Sequence, residues 1–384
     1  MKIVYIFNTL ALKGGIERIF CDKMNRLVRD HGHDVSFVTF QQGNHPMSYQ
    51  LDERIKVTDL DTRFCELHRM NAVASFIKNI CLRRKLKKRM ARLLNGIRPD
   101  IVIFTTADFY ICECFLDLPY RFIVESHVCL ASVLEENLHG NRLLKPFFRS
   151  IDHWHFSKMN KAKTLVTLTQ ADKRDWEKHI DTDIKIIPNF VTHYPAEIKP
   201  YSDRPDRIIC AGRLDPQKGF DYLIEAWKRI ADRHVSWRID IFGEGALEDA
   251  LNKKIADYHL EKSMEIHRPT DRIYDEYNNS SLYVLSSRYE GFALVLIEAS
   301  SCGVPCVAFD CPNGPSELIT HGNDGLVVPL ADIGKLAESI EWMITHKEER
   351  QRMSRQARLK AQHYTDKTIM PQWIKLFEET VQRT

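Results

Sequence analysis

The sequence predicts an α/β protein built from two doubly wound, parallel-sheet domains. Short runs of β-branched and aromatic residues alternate with helical patterns along the chain, which is typical of parallel strands covered by helices on both faces. The alternation lapses between residues 189 and 207, where proline and charged residues replace any periodicity. Because 384 residues exceed what one ordinary core holds, we expect two domains and a ligand cleft facing the carboxyl ends of both sheets.

These patterns also predict the domain boundaries and the strands. We expect an N-terminal domain over residues 1–190, a linker over 191–206, a C-terminal domain over 207–365, and a last helix over 366–384 that could pack on either domain, the N-terminal one included. A helix is predicted over 220–233. The predicted strands are 2–7, 34–40, 56–60, 100–105, 120–126, 164–169 and 184–188 in the first domain, and 207–212, 238–243, 264–267, 282–287, 305–310 and 325–330 in the second.

Composition and the N-terminal residues favour a globular enzyme of the cytoplasm. The first residues, MKIVYIFNTL, lack the long apolar region of a signal peptide and are typical of a buried strand. No apolar run approaches the roughly 20 residues that a membrane-spanning helix needs. The ten cysteines show neither a C-x-x-C motif nor zinc-site spacing, so we expect reduced thiols.

Two glutamates border a short apolar run in RYEGFALVLIEASSCGVP, the stretch from Arg288 to Pro305. The run is typical of a buried helix, and we expect Gly291 to open it. On one helix, Glu290 and Glu298 would lie about 80° and about 12 Å apart, so both could contact one ligand from its two ends. The alternative is an amphipathic helix with a solvated glutamate at each end.

Glycines and cations follow the first strand of each predicted domain. Gly14 and Gly15 precede a helix expected to start near Ile16, whose N–H groups could face an anion, although such a pair is also typical of a plain turn. In AGRLDPQKGF, Arg213 and Lys218 border a proline turn, which suits a diphosphate or, alternatively, a solvated turn.

Other candidate motifs are weaker. His127 ends the fifth strand and is either a hydrogen-bonded structural histidine or a catalytic group that faces Glu290 across the cleft. The stretch GEGALE lacks the third glycine of a dinucleotide fingerprint, and no P-loop motif occurs. The D-x-D spacings at 59–61 and 181–183 do not favour a metal site, and we expect neither a metal nor a cofactor.

A strongly basic stretch, FIKNICLRRKLKKRMARLLNGIR, covers residues 76–98. Between Leu67 and Pro99 there are ten Lys or Arg and no acidic residue. We expect a helix with one apolar stripe, formed by Phe76, Ile77, Ile80, Leu86, Met90, Leu93 and Leu94, and cations over its remaining surface. The stretch is either an ordinary surface helix or a docking site for an anionic membrane, and no aromatic platform favours nucleic acid.

Together these motifs resemble family 4 of the retaining glycosyltransferases, with the GT-B fold of two Rossmann-like domains facing across a cleft. The resemblance covers almost the whole chain and depends most on EGFALVLIE, preceded by GRLDPQKG and by the N-terminal GGIER. It implies a metal-independent hexosyltransferase that moves a hexose or N-acetylhexosamine from a nucleotide sugar, favouring UDP, to a glycan acceptor. That acceptor would be lipid-linked, for example through polyprenyl diphosphate, on the cytoplasmic face of the membrane, in cell-surface polysaccharide synthesis.

The same resemblance implies a role for each candidate residue. Glu290, with the backbone of Gly291 and Phe292, would hold the donor sugar, and Glu298 would accept the ribose hydroxyls. Arg213 and Lys218 would neutralise the diphosphate, helped by the loop at Gly14 and Gly15. His127 would meet the sugar near its reacting face, and the turn that includes His267 and Arg268 would border the base. The alternatives are a nucleotide-sugar epimerase of the same fold and a non-enzymatic sugar-binding protein.

Overall fold

The computed structural model describes residues 1–11, 14–130 and 154–382, which form two compact units. The first unit contains residues 1–188 together with the residues from Met370 onward, and the second contains Asn189–Ile369. Each unit holds one fully parallel sheet, so the predicted fold class is confirmed. The 13 predicted strands are also confirmed, each within two residues at either end.

The first sheet has seven strands, in the order β3-β2-β1-β4-β5-β6-β7. The chain runs outward from β1 to β3 and then returns to β4, so β1 and β4 border the point where the strand order reverses. Ligands of doubly wound sheets bind at that point, beyond the carboxyl ends of the strands. The strands are β1 (Lys2–Ile6), β2 (Asp34–Thr39), β3 (Lys56–Asp59), β4 (Ile101–Thr105), β5 (Phe122–Glu125), β6 (Thr164–Thr167) and β7 (Asp183–Ile186).

The second sheet repeats this plan with six strands, in the order β10-β9-β8-β11-β12-β13. Here the order reverses between β8 and β11, so the segments after these two strands lie at the expected ligand site of the unit. The strands are β8 (Arg207–Ala211), β9 (Arg238–Phe242), β10 (Met264–His267), β11 (Leu282–Leu285), β12 (Cys306–Asp310) and β13 (Gly325–Pro329).

Amphipathic helices bury one face each against these sheets, and a separate apolar core lies in each unit. The helix predicted over 220–233 ends early, at Lys228, because the N–H of Arg229 reaches back three residues to the carbonyl of Ala226 and tightens the last turn. The helices described are α1 (Gly15–Arg29), α2 (Ala72–Ile97), α3 (Phe109–Cys112), α4 (Gln170–Trp176), α5 (Phe220–Lys228), α6 (Glu248–Asp257), α7 (Ile273–Asn278), α8 (Leu294–Ser301), α9 (Pro315–Leu318), α10 (Ile333–Thr345), α11 (Lys347–Ala361) and α12 (Asp366–Gln382).

The basic stretch forms α2, but its apolar stripe differs from the prediction. The helix is capped by Asn71, whose side chain accepts the N–H of Ala74 at 2.9 Å. The buried stripe contains Leu82, Leu86, Met90 and Leu94, at a spacing of four residues. By contrast, three members of the predicted stripe, Phe76, Ile77 and Ile80, are exposed, and Val73 is exposed with them. The prediction was wrong for these residues because, among the described side chains of α2, burial begins only at Leu82.

The cations of α2 are also more neutralised than the prediction assumed. Lys78 pairs with Glu66 at 2.7 Å, Arg83 with Glu113, and Lys87 with Asp117. These acidic residues lie outside the basic stretch, so counting charges along the sequence missed them. Among the residues that the structure describes, no acidic side chain pairs with Arg84, Lys88 or Arg92, which follow one another at intervals of four and share one exposed face.

Candidate active site

The segment after β8 forms a tight turn that is held against the end of β11. The side chain of Asp215 accepts the N–H of Lys218 at 3.3 Å, which closes a single turn over Pro216–Lys218. Gly219 follows with a φ of 61°, and a Cβ atom there would lie 2.1 Å from the carbonyl oxygen of Ser286. Both the backbone conformation and the close approach therefore require glycine at this position.

This turn brings Lys218 and Glu290 together. The Nζ atom of Lys218 lies 2.8 Å from Glu290 Oε1, and the hydroxyl of Ser287 donates to the same oxygen at 2.6 Å. Only 14% of the Lys218 side chain and 6% of the Glu290 side chain are exposed. Nearby, the side-chain amide of Gln217 donates to the carbonyl of Tyr289 at 3.0 Å. The cation expected at the diphosphate and the carboxylate expected at the sugar are thus one ion pair, which the sequence did not indicate.

Arg213 is much more exposed than Lys218. Its side chain is 67% exposed, donates to Gln217 Oε1 at 2.9 Å and lies 3.1 Å from Asp215 Oδ2. Gln217 thereby connects Arg213 to the segment after β11, because its own amide nitrogen binds the carbonyl of Tyr289. Of these two cations, Lys218 is therefore held more firmly, and Arg213 is freer to change its contacts.

The two glutamates do not lie on one helix, so the geometric premise of that prediction was wrong. Helix α8 begins at Leu294 rather than at Gly291, because the N–H of Leu294 bonds to the carbonyl of Phe292 at 2.7 Å and Ala293 has non-helical dihedrals. Glu290 precedes the helix, in the segment after β11, whereas Glu298 lies within it.

Both carboxylates are nevertheless buried at the same edge of the sheet. Glu290 and Glu298 are 5% and 3% exposed, which excludes the alternative of two solvated glutamates. The hydroxyl of Tyr277, from α7, donates to Glu298 Oε2 at 3.5 Å. A buried carboxylate needs donors of this kind, and the hydroxyls of a bound sugar or ribose are further donors of the same chemistry.

His267 ends β10 and is held by a buried carboxylate. Its Nε2 atom lies 3.1 Å from Asp240 Oδ1, and its ring stacks on Phe242 at 4.9 Å between centroids. Burial raises the pKa of Asp240, but hydrogen bonds from His267 and Arg238 and the charge of Arg207 outweigh it, so the pKa is held below its usual range. The neighbouring Arg268 is exposed.

Asp240 and His267 also belong, with Glu265, to a group whose ligand atoms lie within 4.8 Å of one another. Among the described residues this is the group with metal-like spacing. Two guanidinium groups, from Arg207 and Arg238, already bind the Asp240 carboxylate. Their positive charge opposes a divalent cation, so we assign no metal to this group.

In the first unit, Gly14 and Gly15 begin α1, close to the predicted start. Gly15 is the first residue of the helix and Gly14 precedes it with extended backbone. The carboxylate of Glu17 lies over Gly14, and a Cβ atom on that glycine would be 2.2 Å from Glu17 Oε2. A negative charge at a helix N-terminus opposes the anion expected there, so the anion site at these glycines stays a prediction. Residues 12 and 13 of this loop lie outside the described residues.

His127 lies just beyond the end of β5, and its side chain is 1% exposed. Its Nε2 atom is 2.8 Å from Glu125 Oε2, which also binds the ammonium group of Lys23 from α1. Sequence reasoning missed both partners. A signal for Lys23 was present, because it falls on the apolar face of α1 between Phe20 and Leu27, where a cation must be paired or neutral.

Asp108, just beyond β4, is a second buried acid that the sequence did not single out. Its Oδ2 atom accepts the backbone N–H of Asn8 at 3.1 Å, at the end of β1. Burial raises the pKa of Asp108 to about 7. A protonatable carboxyl group thus lies where the strand order of the first sheet reverses.

Comparisons with known proteins place the chain in a family. The model of Glycosyltransferase Family 4 matches residues 13–193, and that of Glycosyl transferases group 1 matches residues 196–360. The chain is 26% identical to the amylovoran biosynthesis glycosyltransferase AmsD of Erwinia amylovora, over 97% of this chain and 98% of that protein.

Two further comparisons cover nearly the whole chain. It is 26% identical to a Campylobacter jejuni enzyme, the GalNAc-alpha-(1->4)-GalNAc-alpha-(1->3)-diNAcBac-PP-undecaprenol alpha-1,4-N-acetyl-D-galactosaminyltransferase, over 99% of both proteins. Its fold matches that of Anabaena HepE, solved in complex with UDP, with a TM-score of 0.74 and 17% identity over 99% of this chain and 100% of HepE.

Proposed function

Because this chain belongs to glycosyltransferase family 4 and has the GT-B fold, we propose that it is a retaining, metal-independent hexosyltransferase with a UDP-linked donor. The observation that carries the proposal is the buried ion pair of Lys218 and Glu290, where the second sheet reverses its strand order. HepE, which shares the fold, binds UDP, and this supports a uridine nucleotide. The sugar transferred would be a hexose or N-acetylhexosamine.

In this proposal each residue of the second unit meets one part of the donor. Glu290 accepts hydroxyls of the sugar, and Glu298 accepts both ribose hydroxyls, since an ionised carboxylate can only accept hydrogen bonds. Lys218 lies against Glu290, so one cation both orients that carboxylate and faces the adjoining diphosphate. Arg213, largely exposed, adds a second cation, and the stack of His267 on Phe242 borders the base.

Charge development explains why these groups suffice for the reaction. As the glycosidic bond to the nucleotide breaks, negative charge grows on the departing diphosphate, and fixed cations stabilise it most at that stage. The leaving phosphate oxygen then takes the proton of the acceptor hydroxyl, which attacks the same face of the sugar and retains its configuration. For His127, whose side chain is 1% exposed in the first unit, a contact with a sugar hydroxyl stays a prediction.

We further propose a lipid-linked glycan as the acceptor, in the synthesis of a cell-surface polysaccharide. The names of two full-length relatives support this, because one makes amylovoran and the other acts on an undecaprenyl-diphosphate glycan. Among the described residues, no helix combines the length and the apolar character needed to cross a bilayer. A lipid-linked acceptor would be met at the membrane surface, so the proposal includes docking of the protein there.

Helix α2 supplies a surface suited to that docking. Its first turns expose Val73, Phe76 and Ile77, with 72%, 67% and 58% of their surfaces accessible. Farther along the same helix, a groove of about 230 Å³ is lined only by cations, Lys85, Lys88, Arg89 and Arg92. An apolar end followed by cations is typical of helices that lie at the surface of an anionic membrane. We propose that α2 docks on the cytoplasmic leaflet in this way.

A screen of nucleotide sugars tests the proposal. Thermal shift with UDP-sugars identifies the donor, and free UDP is then measured with and without glycan acceptors. We expect UDP release that depends on the acceptor and survives EDTA, and an α-linked product from an α-linked donor. Conversion of the donor without any acceptor would instead identify an epimerase, and binding without turnover would identify a sugar-binding protein. The variant Lys218→Ala should lower this acceptor-dependent release of UDP. Its matched control is Lys253→Ala, which removes an exposed lysine paired with Asp257.

A further inference from the structure

A fully buried lysine, Lys23, lies beneath the residue assigned to the sugar in the first unit. Its side chain is 1% exposed, and its ammonium group binds Glu125 Oε2. The ring of Trp373, from α12, covers the Nζ atom at 3.8 Å, and the ring of Phe20 lies 5.5 Å from it. Burying a lysine is costly unless it is paired, so this cation needs a local partner of opposite charge.

Glu125 is that partner, and it binds His127 with the same oxygen. Its side chain is 1% exposed, and Oε2 lies 2.8 Å from His127 Nε2. Burial raises the pKa of Glu125, but the charge of Lys23 and the hydrogen bond from His127 lower that pKa by more than burial raises it. The carboxyl group therefore stays ionised. An ionised carboxylate only accepts hydrogen bonds, and His127 Nε2 must therefore carry a proton.

The charges of Lys23, Glu125 and His127 determine whether Nδ1, the other ring nitrogen of His127, carries a proton. One carboxylate and one ammonium are neutral together, and a third charge, on His127, would be buried without compensation. Burial accordingly lowers the pKa of His127 in spite of the nearby carboxylate. With Nε2 protonated and the ring neutral, Nδ1 has a lone pair and can only accept. Among the described residues, no donor reaches Nδ1, which is itself buried.

We propose that Glu125 and Lys23 are positioning residues that hold His127 as the Nε2–H tautomer, with Nδ1 presented as an acceptor for a ligand hydroxyl. The part of this proposal that concerns the ligand rests on the proposed function, whereas the tautomer does not. Among the described residues, Tyr5 from β1 is a further titratable group beside the network, and its ring lies 5.9 Å from Lys23 Nζ. Trp373 and Phe20 shield the ion pair, which keeps its attraction strong.

Removing only the cation should reverse the role of Nδ1. In Lys23→Met, neutrality can be restored by a proton on Glu125, which then donates to Nε2, or by a proton on His127. Both outcomes put a proton on Nδ1. In the double variant Lys23→Met/Glu125→Gln, the amide oxygen of the glutamine accepts from Nε2–H and no charge remains, so Nδ1 is again an acceptor. The double variant also avoids an unpaired buried charge and should fold even where the single variant does not.

Nitrogen NMR on histidine-labelled full-length protein reads the tautomer directly, with His127→Gln used to assign the signal. We expect the wild-type signal to show Nε2–H alone and no titration between pH 5.5 and 8.5. Lys23→Met should show a protonated Nδ1, and the double variant should restore the wild-type pattern. A wild-type His127 that titrates near its ordinary pKa, or carries its proton on Nδ1, overturns the proposal.

Measurements of turnover distinguish a positioning role of Lys23 and Glu125 from a role that only stabilises the fold. Lys23→Met should lower kcat by roughly 10- to 100-fold, the size expected when a buried hydrogen bond is reversed, while KM for the donor changes less. The double variant should recover most of the lost kcat. If Nδ1 becomes protonated but kcat is unchanged, the positioning role is overturned while the transferase assignment stands. If no transferase activity is found for the wild type, the NMR result still decides the tautomer.

Discussion

Each unit of this protein pairs a lysine with a glutamate near the carboxyl end of a strand, and the two pairs differ in their exposure to solvent. The pair of Lys218 and Glu290 is 14% and 6% exposed and lies beside the solvated Arg213. The pair of Lys23 and Glu125 is 1% exposed at both side chains and is covered by Trp373. Because the pair of Lys218 and Glu290 is the more exposed one, either side chain can exchange the other for a group of a ligand. The enclosed pair of Lys23 and Glu125 can act only on the side chains that it contacts.

The largest expected effect comes from removing each lysine in turn. Lys23→Ala leaves a buried carboxylate without its cation and should destabilise the first unit by about 3–5 kcal/mol. Lys218→Ala should reduce stability less than Lys23→Ala does, because the Lys218 side chain is 14% exposed and Ser287 still donates to Glu290, yet it should lower turnover at least tenfold more than Arg213→Ala. Hydrogen exchange resolved by peptide reports the stability of each unit separately. Equal stability losses in the two variants would remove the distinction.

The next effect concerns Glu298, the buried glutamate of helix α8. Glu298→Ala should weaken nucleotide binding by about 2–4 kcal/mol, since two hydroxyls of the ribose would lose their shared acceptor. Calorimetry with UDP on the folded variant measures this change. Glu338→Ala, which removes an exposed acid of α10 paired with Lys335, is the control. Affinity within twofold of the wild type would show that Glu298 has another role.

A buried acid whose pKa is raised makes the folded protein less stable as the pH rises, which is the opposite of the effect of an acid whose pKa is lowered by a paired cation. The pKa of Asp108 is raised by burial to about 7, so the folded protein holds this proton more tightly than the unfolded chain. Its contribution to stability is complete below pH 4 and is lost as the pH rises towards 7, by about 2 kcal/mol between pH 5 and 7.

Asp108→Asn should remove that loss. Relative to the wild type, the variant should gain thermal stability at pH 8 compared with pH 5, because its amide stays neutral throughout. Thermal midpoints of both proteins at the two pH values provide the measurement. A constant difference between wild type and variant would mean that Asp108 is ionised in the folded protein.

The smallest effects are expected at the surface of the first unit. Changing Arg84, Lys88 and Arg92 to glutamate should weaken binding to anionic vesicles by at least about 1 kcal/mol for each residue, and raised salt should do the same. Phe76→Ser, which removes an apolar side chain and adds no charge, should weaken binding without changing its salt dependence. Val235→Ser, at an even more exposed apolar residue of the second unit, should have no effect on co-sedimentation. Wild-type protein that ignores anionic vesicles at low salt would show that α2 is an ordinary solvated helix.

The sequence was sufficient for the strands and insufficient for the pairs between them. Strands such as β1 and β8 are continuous apolar runs, because a parallel sheet is buried on both faces, and their pattern is local. The start of α8 was misplaced because the turn before it depends on one backbone hydrogen bond, between Leu294 and Phe292. The contacts of Lys218 with Glu290 and of Lys23 with Glu125 join residues that are 72 and 102 positions apart in the sequence. A pattern of neighbouring residues cannot predict a contact over such a separation.

Helix α12 imposes an order on the biogenesis of the protein. Its residues from Met370 onward belong to the first unit, although they follow the whole second unit along the chain. Nascent domains generally fold as they leave the ribosome, in N-to-C order. Here Trp373 emerges only after some 180 residues of the second unit, so the ion pair of Lys23 and Glu125 lacks its aromatic cover until the second unit has been synthesised. Of the two units, the one whose synthesis begins first is therefore completed second.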